Sequence, residues 1–143
     1  MSQLRSDFET PQASPGFLLW QVSNKWQAAQ RKALVAYDLT HVQFVLLASL
    51  AWLGGGLVTQ KQLATYASTD IMMTSQVLRV LEKRGLVDRA TSASDKRAIH
   101  VSLTDAGQSL VNEAVVEVEH VDSEFFGKLG NDIQIFAASL SRL

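Results

Sequence analysis

The sequence predicts a mainly α-helical fold with a small β unit, and three observations predict it. Apolar residues recur at steps of three and four along most of the chain, the rhythm of one-sided helices. Around Ile99-His100-Val101-Ser102-Leu103 that rhythm gives way to a period of two, the mark of a half-buried strand. Glycines stand where the helical patterns stop, at Gly54-Gly55-Gly56, at Gly85, and at Gly127 with Gly130.

Residues 1–16 are polar, carry Pro11, Pro15 and Gly16, and are expected to form a loose N-terminal arm. From Phe17 to about Tyr37 the residues Leu19, Val22, Trp26, Ala29, Ala33 and Tyr37 define a helix with one buried stripe. Thr40 and Gln43 then offer a capping box, with Leu39 stapled onto Phe44, and open a core helix that runs to about Leu53. The device recurs at once: Thr59 with Gln62, and Val58 with Leu63, open a short helix to about Ala67. Asp70 is placed to cap a helix from Ile71 to Arg84, with Met73, Val77, Val80 and Leu81 as its apolar stripe. Its other side offers Thr74, Ser75, Gln76, Arg79 and Lys83, and Gly85 ends it in a left-handed cap. Two short helices at a tight turn, the second with a polar outer face, predict a helix-turn-helix.

A wing follows. Leu86-Val87-Asp88-Arg89 reads as a short strand, residues 91–96 have a loop composition, and Asp95-Lys96-Arg97 makes a charged tip before the returning strand Ile99–Leu103. Thr104 caps a long helix in which Val111, Ala114, Val118, Val121 and Phe125 keep the helical step, with Leu110, Val115 and Phe126 broadening the stripe. That is more apolar surface than one thin winged domain covers, so it predicts helix against helix between two chains. Folding back on its own chain is the alternative. Gly127 and Gly130 end this helix, and Asn131 or Asp132 starts a last one with Ile133, Phe136 and Leu140 on one face.

With 143 residues, 47% hydrophobic and 19% charged, the chain has ordinary globular composition. It has no cysteine, which excludes disulfides and thiolate chemistry and is compatible with the cytoplasm. No basic-then-apolar leader opens it, and the greasy run Phe44–Leu53 is far below the roughly 20 residues that span a bilayer. The net charge of −1 hides an asymmetry. Residues 59–103 carry seven bases (Lys61, Arg79, Lys83, Arg84, Arg89, Lys96, Arg97) against four acids, whereas residues 104–130 carry Lys128 against six acids. Duplex DNA needs local positive potential rather than a basic whole protein.

With these residues in place the chain resembles the MarR family of winged-helix regulators over nearly everything from Phe17 to Leu143. The motifs that carry the likeness are Leu39-Thr40 with Gln43-Phe44, Leu63-Ala64, then Leu81-Glu82-Lys83-Arg84-Gly85-Leu86-Val87, Asp95-Lys96-Arg97, and Leu103-Thr104 with Gly107. The resemblance implies a winged helix-turn-helix over 39–103 for DNA binding and a helical dimerisation region built from 17–38 and 104–143. It implies a sequence-specific transcriptional regulator, expected to be a repressor, that binds a pseudo-palindromic operator as a homodimer. Thr74, Ser75, Gln76, Arg79 and Lys83 become the candidate DNA contacts of the recognition helix. The family's Asp-x-Arg wing signature falls on Asp95 and Arg97, with Lys96 between them. Leu19, Val111, Val118, Phe125, Phe136 and Leu140 become the candidate dimer interface. The family's small aromatic or phenolic effectors direct attention to Trp20, His41 and Phe44, for which core packing is the competing reading.

Other readings stay open beside these. Lys83 and Arg84 would stabilise the C-terminal dipole of any helix. Winged helices also serve as protein-docking modules without specific DNA binding. His41, His100 and His120 have no paired spacing, so no metal is expected. No nucleophile triad, phosphate loop or cofactor motif is present, so neither an enzyme nor a bound cofactor is expected.

Overall fold

In the computed structural model, which describes residues 4–143, both Thr-x-x-Gln signals are closed capping boxes. Thr40 Oγ1 accepts from the Gln43 amide at 3.2 Å, and Gln43 Oε1 accepts from the Thr40 amide at 3.0 Å. The Thr59–Gln62 pair does the same at 3.0 and 2.9 Å. These boxes start α2 (His41–Leu53) and α3 (Gln60–Ala67).

Before them lies α1 (Pro15–Leu34), continued by a 3-10 turn at Val35–Tyr37. Ser14 caps α1 by accepting from the Phe17 amide, and Pro15 is its first residue, so a residue expected in the loose arm instead begins the helix. The first three residues of that expected arm lie outside the described residues. After α3 come α4 (Ile71–Lys83), β2 (Val87–Thr91), β3 (Ile99–Leu103), α5 (Asp105–Phe126) and α6 (Ile133–Leu140). A further strand, β1 (Val58–Thr59), makes the sheet three-stranded and antiparallel in the order β1-β3-β2. Val58 pairs with Val101, and Val87 with Leu103.

The core joins Leu34 of α1, Leu46 and Leu47 of α2, Leu63 of α3, Leu78 and Leu81 of α4, and Val87 and Val101 of the sheet. The helices depart from expectation at several points. Val111 and Val118, placed at the dimer interface, are 3% and 6% exposed within this one chain, where α5 packs on α1 and α2. This first part of the stripe packs on its own chain, Val121 and Phe125 farther along are half-buried, and Val116 is exposed. In α4, Leu78 joins Leu81 in the core while Val80 is 47% exposed, because steps of four and three from Thr74 align 74, 78 and 81 on one face. The end of α5 also differs. Gly127 keeps a right-handed helical backbone, the chain continues as a 3-10 segment, and the break falls at Gly130 with φ +55°. No side chain caps α6.

One close approach joins the winged domain to α5. Gly85 leaves α4 at φ +73°, and the Thr104 hydroxyl donates to Gly85 O at 2.6 Å while accepting from the Gly107 amide at 3.0 Å. A Cβ on Gly107 would sit 2.0 Å from the Leu86 carbonyl oxygen. Gly107→Ala is therefore expected to destabilise the fold by about 1–3 kcal/mol through overpacking. The urea midpoint at fixed protein concentration checks this, and an unchanged midpoint contradicts the close approach.

Candidate nucleic-acid interface

The turn between α3 and α4 is built from three polar residues. Ser68 ends α3 in the left-handed region, and Asp70 Oδ2 accepts from the Met73 amide at 2.9 Å, capping α4. Thr74 is fully buried: its hydroxyl donates to Asp70 O at 2.7 Å and lies 2.6 Å from the Thr69 hydroxyl. Thr74, expected among the DNA contacts, thus locks the turn and cannot reach a base edge from there. Bonding back to the carbonyl four residues earlier is the usual option for a threonine inside a helix. Ser75 is half-buried, while Gln76, Arg79 and Lys83 are exposed.

The wing tip is folded by Ser92 and Asp95. Ser92 Oγ accepts from the Ser94 and Asp95 amides, each at 3.3 Å, and Asp95 Oδ1 accepts from the Arg97 amide at 2.9 Å. Lys96 and Arg97 are left exposed at a tip whose backbone is held by its own acid. Asp95 and Arg97 border an open cleft of about 480 Å³ together with Thr59, Gln60, Lys61, Ile71 and Ile99. The starts of α3 and α4 and the tip of the wing therefore meet around one cleft.

Lys61 belongs to this cleft and was not singled out as a contact by the sequence. A signal existed: a lysine in the first turn of a helix opposes the helix dipole, so its place there has no helical advantage. Arg89 behaves otherwise. Its Nε donates to Gln60 Oε1 at 2.9 Å and its Nη1 lies 3.6 Å from Glu82 Oε1, so it ties β2 to α3 and α4.

The three candidate effector residues occupy three different environments. Phe44 is 6% exposed and packs within the core, and Trp20 is 68% exposed on α1. His41 is half-buried with its ring edge-on to Trp26, centroids 5.0 Å apart. Near it lies a polar cluster that the sequence did not reveal. Asp122 Oδ1 accepts from Trp26 Nε1 at 2.7 Å and from Gln30 Nε2 at 2.5 Å, joining α1 to α5 across more than ninety residues of sequence. Gln30 is fully buried and its Oε1 has no protein partner. Of the proposed dimer residues, Leu19 is 51% and Leu140 43% exposed, whereas Phe125 and Phe136 are half-buried beside Phe126.

A helix-turn-helix whose second helix leads into an antiparallel wing defines a winged helix-turn-helix protein. The family model described as MarR family matches residues 39–99. The uncharacterized HTH-type transcriptional regulator YdcH of Bacillus subtilis is 49% identical over 123 residues, covering 85% of this chain and 84% of its own. A mutant MarR from E. coli complexed with operator DNA superposes with a TM-score of 0.80 at 25% identity, over 96% of this chain and 97% of that one. CouR from Rhodococcus jostii RHA1, bound to p-coumaroyl-CoA, superposes with a TM-score of 0.77 at 25% identity, over 94% and 91%. This chain belongs to the MarR family of winged helix-turn-helix transcriptional regulators.

Burial lowers the His41 pKa below 6.5, nearby Arg31 lowers it further, and Asp122 opposes both. Below that pH the unfolded chain takes up a proton that the folded chain resists. The contribution is therefore fully present above pH 6.5 and is lost as the pH falls through the window below it. His41→Gln is expected to shrink the loss of urea midpoint between about pH 7.5 and about pH 5.5. An equal loss in both proteins contradicts the lowered pKa of the half-buried imidazole.

Proposed function

We propose that this chain is a homodimeric repressor that binds a pseudo-palindromic operator and is released by a small aromatic or phenolic ligand. Residues 39–103 read DNA, and 17–38 with 104–143 pair two copies in the cytoplasm. The observation that carries the reading is the shared cleft of Arg97, Lys61 and Ile71, beside an α4 face with Gln76, Arg79 and Lys83 exposed. B-DNA's major groove admits one helix, where glutamine can pair with adenine and arginine with guanine. The narrow minor groove attracts a basic side chain such as Arg97.

The dimer reading is supported by apolar surface that this chain leaves uncovered. Phe17, Leu18, Leu19, Trp20 and Val22 on α1, and Ile133, Ile135 and Leu140 on α6, are all exposed. One recognition helix selects too few base pairs for a genome, and two-fold pairing doubles the site. Release by a ligand is supported by the CouR likeness and by polar and aromatic groups between α1 and α5. Among the described residues no single helix is long and apolar enough to cross a membrane.

Gel shifts with the DNA upstream of the protein's own gene test the reading. Arg97→Ala is expected to weaken specific binding by about tenfold or more, a loss of about 1–3 kcal/mol, with the dimer intact by light scattering. Parent-like affinity of that variant at physiological salt removes the wing from the interface.

A further inference from the structure

The recognition helix α4 ends at Lys83, and the residue that caps it, Arg84, reaches out of the winged domain. Its guanidinium crosses 46 residues of sequence to the corner where α1 gives way to α2. Nη1 donates to Asp38 O at 2.7 Å and sits 3.4 Å from Gln43 Oε1, while Nη2 lies 3.7 Å from Asp38 Oδ2. That corner is itself closed by backbone hydrogen bonds. Asp38 stands in the left-handed region at φ +51° with its amide donating to Val35 O, and the Leu39 amide donates to Leu34 O at 3.3 Å. Gln43 closes the capping box of α2, and Leu34 and Leu39 are buried in the core.

The chemistry suits a strut. The α1 segment ends in carbonyls that carry the negative end of its dipole, and a cation there is favourable. Arginine's planar fork engages a carbonyl and an amide oxygen together, which a lysine point charge does not, while the exposed Asp38 carboxylate at 3.7 Å is a solvent-screened neighbour. The side chain is only 30% exposed, so its position is defined by these partners more than by solvent. Arg84 thus connects the C-terminus of the DNA-facing helix directly to the helix that leads into the proposed dimer region.

We propose that Arg84 is a positioning residue for operator reading. It fixes the angle of α4 against the α1–α2 corner, and so the reach of Gln76 and Arg79 toward base edges, without touching phosphate itself. The proposal rests on the operator-binding reading, and two readouts separate the failure of one from the failure of the other.

The first needs no DNA. The sequence has no cysteine, so Gln27→Cys on α1 and Gln76→Cys on α4 give two unique sites for spin labels, with labelled chains diluted into unlabelled ones. Arg84→Ala is expected to broaden or shift the distance distribution between them, and an unchanged distribution overturns the proposal. The second readout compares specific with non-specific duplex. Arg84→Ala is expected to lower operator affinity about tenfold while affinity for random duplex stays within about twofold and the salt slope is unchanged. Arg84→Lys is expected to fall between parent and alanine, and it carries the same comparison should the alanine variant lose cooperative unfolding. Equal loss on both duplexes with a salt slope shallower by about one marks a phosphate contact and overturns the proposal. Unchanged operator affinity overturns it too. A parent chain that selects no duplex defeats the operator reading alone, and the label distances still decide the role of Arg84.

Discussion

The close approach of α5 to the loop leaving α4 is the constraint on which the remaining geometry depends. Gly107 has no room for a side chain over the Leu86 carbonyl, and Thr104 spends its hydroxyl and its amide on Gly85 O and Leu86 O. The end of the recognition helix, the last residue of the wing and the start of the longest helix are therefore bound within a few residues of each other. Backbone carbonyls that leave a helix end need partners outside it, and here one threonine supplies them. Packing this close leaves α5 and the end of α4 no room to move independently at this point.

The arginines divide by task. Arg89 is committed to Gln60 and Glu82, and Arg84 to Asp38 and Gln43. Both hold elements together. Lys61, Arg79, Lys83, Lys96 and Arg97 are exposed, and they give the winged domain the positive field that the near-neutral whole does not have. The acids Glu113, Glu117, Glu119 and Glu124 are exposed along α5. Charge separation of this kind steers a polyanion toward one part of a molecule.

Helix starts were legible because a capping box is complete within four residues, as at Thr40–Gln43 and Thr59–Gln62. The hairpin was legible through the alternation at 99–103 and the glycine before it. What failed needed tertiary information. β1 has two residues, too few to carry a period, and its threonine already served a helix cap. The stripe through Val111 and Val118 announced burial but could not say which helix would cover it. Thr74 looked like an outward hydroxyl because its carbonyl partner is set by helix phase, not by the residue types around it. The Trp26–Gln30–Asp122 cluster joins polar residues too far apart in sequence for any local pattern to connect.

The central claim is that two copies present α4 and the wing tip to one face of a duplex. Hydroxyl-radical footprinting of the parent protein, on a site it selects from random duplexes, tests this most directly. The expected result is two sets of protected sugars on the same face of the duplex, centred about 34–36 Å apart, each flanked by protected sugars along the minor groove under a wing. A single patch, or two patches on opposite faces of the duplex, would contradict the arrangement.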